Sequence, residues 1–88
     1  MMKEEEKLHA RHFLGKTVVS KAGKRFGEVS NILFEPKTGE LIQLSLKNPT
    51  GFTEGLDLEK DGQGNFLVPF SAVLAVGDFV VISEEDII

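Results

Sequence analysis

Cysteine is absent from this 88-residue chain, which excludes a disulfide scaffold and any thiol nucleophile. Tryptophan and tyrosine are also absent, and all seven aromatic residues are phenylalanine. Phe fills cores, whereas interface hot spots favour Trp and Tyr; base stacking can still use Phe. No apolar run approaches the roughly 18 residues that would span a bilayer, so no direct membrane insertion is expected. Positive charge is in deficit, with ten Lys and Arg against fourteen Asp and Glu and a formal net charge of −4. That balance opposes non-specific nucleic-acid binding, which needs cations to displace phosphate counterions. The opening residues, Met1-Met2-Lys3-Glu4-Glu5-Glu6-Lys7, are charged and hold no apolar segment of the secretory type, so a cytoplasmic location is expected.

What is present reads as one small domain. A chain this short buries about two-thirds of the surface its unfolded form exposes. Without disulfides or metal, such domains often gain stability by association. Residues 1–13 stand apart as an N-terminal arm, helical or disordered, because isolated helices of that length are marginal. From residue 14 to 83 the pattern is β. Thr17-Val18-Val19 is β-branched and reads as a first strand, and Lys21–Lys24 as a turn in which Gly23 takes positive φ. Phe26 to Phe34 is a second strand whose alternation breaks. Val29 and Leu33 share one parity and Ile32 and Phe34 the other, which calls for a bulge near Asn31. Pro36 and Gly39 frame the clearest turn. Glu40 to Lys47 then alternates cleanly, with Ile42, Leu44 and Leu46 on one side.

A long connection follows from Asn48 to about Gly64, expected to carry a short hairpin arm through Phe52 to Leu58. Phe66-Leu67-Val68 is a fourth strand stopped by Pro69, which has no N–H for the ladder. Ser71 offers an N-cap for one short turn. Leu74-Ala75-Val76 and Phe79-Val80-Val81-Ile82 flank Gly77-Asp78, a pair suited to a type II′ hairpin. Six short strands with these turns argue an all-β, closed or nearly closed barrel. The expected core is Val18, Val29, Ile32, Phe34, Ile42, Leu44, Leu46, Val68, Phe70, Val73, Val76 and Val81. Residues 84–88 form an acidic C-terminal tail.

No constellation announces a reaction. Asp57-Leu58-Glu59-Lys60-Asp61-Gly62 has carboxylates at alternate positions and then a turn glycine, as in the first half of a calcium loop. The second half fails, because Val68 stands where a bidentate glutamate belongs. It reads as a solvated acidic turn. His9 and His12 share a helical face and could hold zinc with Glu5, but no fourth ligand is at hand; they read as surface histidines. The serines have only those two histidines as bases, and no lysine lies in an evident apolar pocket. Gly23 to Gly27 is not a phosphate loop, since a strand follows where a helix N-terminus is needed. No catalytic residue, metal or cofactor is therefore expected. The basic residues Lys16, Lys21, Lys24 and Arg25 read as a solvated strand edge; as one convex face rimmed by Phe they would instead suit RNA.

Three stretches in order carry a resemblance: Gly23-Lys24-Arg25-Phe26-Gly27-Glu28-Val29, then Ile32-Leu33-Phe34-Glu35-Pro36-Lys37-Thr38-Gly39, then Val68-Pro69-Phe70-Ser71-Ala72-Val73 with Val76-Gly77-Asp78. Together they resemble the PRC-barrel family, over roughly Leu14 to Ile82. The resemblance implies a six-stranded barrel in which Gly23, Gly27, Pro36, Gly39, Pro69 and Gly77 shape the fold and none is catalytic. Its free-standing archaeal members imply a self-associating adaptor of the cell-division machinery, binding a second PRC-barrel protein or a membrane-anchoring division protein. The ribosome maturation factor implies the alternative, an RNA- or ribosome-associated factor.

Apolar residues left over from the expected core point to association. Leu41, Leu67 and Phe79 lie on the opposite parity, and Phe52 falls in the variable connection. Ile87 and Ile88 end an acidic stretch that a partner's groove could take up. A homodimer is expected, because one self-complementary patch then serves both copies.

Overall fold

Six strands form one sheet in the order β4-β3-β2-β1-β6-β5 in the computed structural model, which describes residues 12–87. The strands are β1 Thr17–Ser20, β2 Arg25–Phe34, β3 Leu41–Lys47, β4 Phe66–Pro69, β5 Val73–Val76 and β6 Phe79–Ile82. A four-residue helix, α1 (Gly51–Glu54), follows β3, and 3-10 turns occupy Phe70–Ala72 and Glu84–Asp86. The expected all-β architecture and strand count are present. The sheet ends at β4 and β5, which are joined through the first 3-10 turn and do not pair with each other.

The turn chemistry behaves as the residues dictate. Gly23 and Gly39 have φ of 85° and 76°, left-handed values that a Cβ disfavours. The parity break in β2 is a register shift between Val29 and Asn31 as they pair with Leu46 and Ser45. Ser30 is the extra residue, and its hydroxyl donates to the Ser45 carbonyl at 3.0 Å. The expected type II′ turn at Gly77-Asp78 is corrected: Gly77 does not have positive φ. Ser71 does not cap the first 3-10 turn, where Pro69 holds the N-cap position without a side-chain hydrogen bond.

The expected hairpin arm after Asn48 is also corrected. Thr50 caps α1 by accepting from the Thr53 N–H, and the buried Thr53 hydroxyl donates to the Phe26 carbonyl at 2.5 Å. Two Thr side chains thereby tie the helix to β2. The hairpin lies further on. The Leu67 N–H donates to the Glu59 carbonyl at 2.8 Å, Asp61 N–H to Asn65 at 2.9 Å, and Lys60 bridges Phe66. This segment lies along the free edge of β4.

The β1–β6 contact is a parallel pairing, Thr17 to Phe79 through Ser20 to Ile82, and brings the two ends of the chain together. Val18, Val29, Ile32, Leu44, Leu46 and Val68 are buried as expected, while Phe70 and Val73 are partly buried against the cluster. Three expected core residues are exposed: Phe34 at 38%, Ile42 at 43% and Val76 at 42%. Phe34 and Ile42 sit at the turn end of the β2–β3 hairpin, where the register shifts between Leu33 and Phe34, leaves Ile42 as the extra residue and breaks the alternation. Val76 pairs with the buried Val80, but among the described residues β5 has no strand beyond it. Val81 is only partly buried, since it alternates with Val80 and Ile82. Those two fill the core with Phe13, Phe26, Leu58, Phe66 and Ala72. Phe13 meets Phe70 edge to face at 5.8 Å. The remainder of the expected arm lies outside the described residues.

Candidate interaction surface

The residues expected to form an outer apolar patch do not converge. Phe79 is 52% exposed, on β6. Phe52 is 37% exposed; one of its edges is spent on Phe26, at 5.4 Å between centroids and 86° between planes. The Lys24 ammonium stands 5.8 Å over the Phe52 ring. Leu67 is corrected: it is only 6% exposed, because Ser45 of β3 pairs with it on one side and Glu59 bonds it on the other. Leu41 is partly buried against the core, and so is Ile87, which the second 3-10 turn folds back on the barrel. Ile88 lies outside the described residues.

Exposed apolar side chains that the sequence reading did not gather are found elsewhere. Leu74 is 51% exposed and Val76 42%, both on β5, and the adjacent Ala75 is exposed too. Phe79, also near the β5–β6 turn, points to the other face, because it alternates with Val80, the residue that pairs with Val76. The available signal was the run Val73-Leu74-Ala75-Val76, four apolar residues with neither charge nor alternation. Phe34 and Ile42 make a second, smaller exposed pair on the β2–β3 hairpin.

Lys21, Lys24 and Arg25 lie together at the β1–β2 turn, and Lys16 stands apart from them. Lys16 and Lys21 flank opposite ends of β1. The Lys16 ammonium donates to the Gly77 carbonyl, while Lys21 lines a shallow depression with Ala22, Glu84 and Glu85. Only Lys24 meets an aromatic face among these four residues.

The acidic loop is closed on itself. Asp61 Oδ1 accepts from the backbone N–H groups of Gln63 at 2.8 Å and Asn65 at 2.9 Å, and Oδ2 accepts from the Asn65 amide at 3.3 Å. The Asn65 N–H above all holds the Asp61 carboxyl below its ordinary value. Lost hydration opposes it, and Gln63 and the side chains of Asn65 and Ser45 add to the lowering. Glu59 is engaged with the Gln43 amide at 3.2 Å. Among the described residues no three His, Cys, Asp or Glu side chains group as metal ligands, and no helix is long and apolar enough to cross a membrane.

The fold and its turns carry the comparison with known proteins. A family model described as PRC-barrel domain matches residues 5–86. The chain belongs to the PRC-barrel family. A relative is the uncharacterized protein MJ1118 of Methanocaldococcus jannaschii, 28% identical over 82 residues that cover 93% of this chain and 88% of the relative. In this PRC barrel, Gly27 shows why a fold-shaping glycine is needed. A Cβ there would lie 2.9 Å from the Lys47 carbonyl oxygen and 3.3 Å from Pro49 Cα, where the chain leaving β3 crosses β2.

Proposed function

We propose that this PRC barrel is a non-catalytic adaptor that self-associates and binds a further protein, in the archaeal cell-division setting that its resemblance to free-standing members implies. The observation that carries the reading is strand β5, uncharged and with Leu74, Ala75 and Val76 all exposed. Grouped apolar exposure on a small domain marks an association site. The net charge of −4 favours protein over nucleic acid as partner. A second PRC-barrel protein or a membrane-anchoring division protein is the partner class, and the cytoplasm is the compartment. Sedimentation equilibrium of the full chain at micromolar concentration tests self-association, with a dimer expected. Affinity capture from native cells followed by mass spectrometry tests the partner class. A strictly monomeric chain, or capture of ribosomal components in place of such a protein, would overturn the proposal.

A further inference from the structure

The two edges of the sheet are treated differently. At β4 the edge is covered by residues 59–61 and ended by Pro69. At β5 no strand lies beyond Val73–Val76 among the described residues. Natural sheets blunt an exposed edge with lysine, proline, inward charge or a bulge. Strand β5 has no charge and no proline; its one such feature is the register shift between Val73 and Ala75.

We infer that β5 is the dimer edge: it pairs antiparallel with β5 of a second copy, about a two-fold axis at Ala75, making one sheet across both barrels. This rests on the self-association reading above and names its surface. An axis normal to the sheet must place one residue opposite its own copy. Ala75 suits that place because it lies on the regular side of the bulge and is small. Leu74 then faces the second copy's Val76, and Val76 its Leu74, so the exposed apolar side chains meet in cross-strand pairs.

Charge selects both the direction and the occupant. Beside the start of β5 lies the second 3-10 turn, held by the Ser83 N–H on the Ala72 carbonyl at 2.8 Å. Glu84, Glu85 and Asp86 there outnumber the nearby Lys21. At the far end Lys16, bonded to the Gly77 carbonyl, offsets Asp78, and His12 stands beside Val76. Antiparallel pairing sets the acidic end of each copy against the less negative end of the other. Parallel pairing would stack the two acidic ends. A second copy therefore supplies the complement that β5 needs.

The experiment uses the full chain, its Ala75→Lys and Leu74→Lys variants, and Ala75→Cys beside a Thr38→Cys control in a chain free of other cysteines. Sedimentation and circular dichroism are read together. Wild type is expected to be dimeric. Ala75→Lys sets two like charges opposite each other, and each lysine variant should weaken association at least about tenfold while keeping the wild-type spectrum. Directly opposite residues lie within disulfide reach, so oxidised Ala75→Cys should form a covalent dimer and Thr38→Cys should not. A dimer untouched by both lysine variants, or no cross-link at Ala75→Cys, overturns the β5 edge but leaves self-association standing. A monomeric wild type overturns both. Should a lysine variant lose its spectrum, the cysteine pair decides alone.

Discussion

Replacing Gly27 by alanine should destabilise the barrel more than its single added methyl group suggests. Gly27 is buried and has φ of 154°, which L side chains rarely adopt. Holding Ala there costs about 1–3 kcal/mol of backbone strain. The added Cβ would also approach the Lys47 carbonyl oxygen to 2.9 Å. That neighbour is backbone, fixed where β2 pairs with β3, so relief requires the sheet to shift, at about 1–3 kcal/mol. Together these give about 2–6 kcal/mol, against a total stability on the order of 5–10 kcal/mol for a domain this size. The low end corresponds to a melting temperature lower by about 8–16 °C. Gly62→Ala is the internal control. It meets nothing within 4 Å and has no positive φ, so it should change stability by less than about 1 kcal/mol. The assay is thermal melting by far-ultraviolet circular dichroism, since the chain has no Trp or Tyr to report by fluorescence. All melts use one protein concentration, because dimerisation feeds into the midpoint. A Gly27→Ala midpoint within about 2 °C of wild type, or an equal fall in Gly62→Ala, would refute the argument.

Leu44 is fully buried in the core, and Leu44→Ala should cost about 2–5 kcal/mol through lost transfer energy and the cavity left behind; an unchanged melting midpoint would remove it from the core. The Asp61 carboxyl, lowered chiefly by the Asn65 N–H, has a folded value below the ordinary 3.8. Its contribution to the 59–67 hairpin is therefore fully present above that ordinary value and lost as pH falls through the folded one. Side-chain NMR titration should place its midpoint below that of an unfolded-peptide aspartate, and an equal or higher midpoint would exclude the hydrogen-bonded loop.

Much of the fold is written in local chemistry. Gly23 and Gly39 take the positive φ that their turns require, Pro69 ends β4, and the clash of parities around Asn31 marks the bulge in β2. Each of these depends on one residue and its immediate neighbours, so a linear reading finds it. The surface is different. Phe34 and Ile42 share the nominal parity of buried neighbours and are nonetheless exposed, because a second bulge breaks the alternation there, and Val76 is exposed on the last strand of the sheet among the described residues. Leu67 has outward parity and is covered by a hairpin whose partner residues lie in a long connection, and the same bulge brings Leu41, outward by simple alternation, against the core. Phe52 and Phe79 remained at the surface, but Leu74 and Val76 joined the exposed group only once β5 was the last strand of the sheet. That position follows from the parallel pairing of β1 with β6, residues some sixty apart in sequence. Sequence alone determined the class of fold, the turns at Gly23 and Gly39 and buried positions such as Val18, Val29, Leu44, Leu46 and Val68, since these follow from backbone preference and alternation. Tertiary structure alone decided which apolar side chains face water and which edge stands open, since both depend on what the rest of the chain places alongside them.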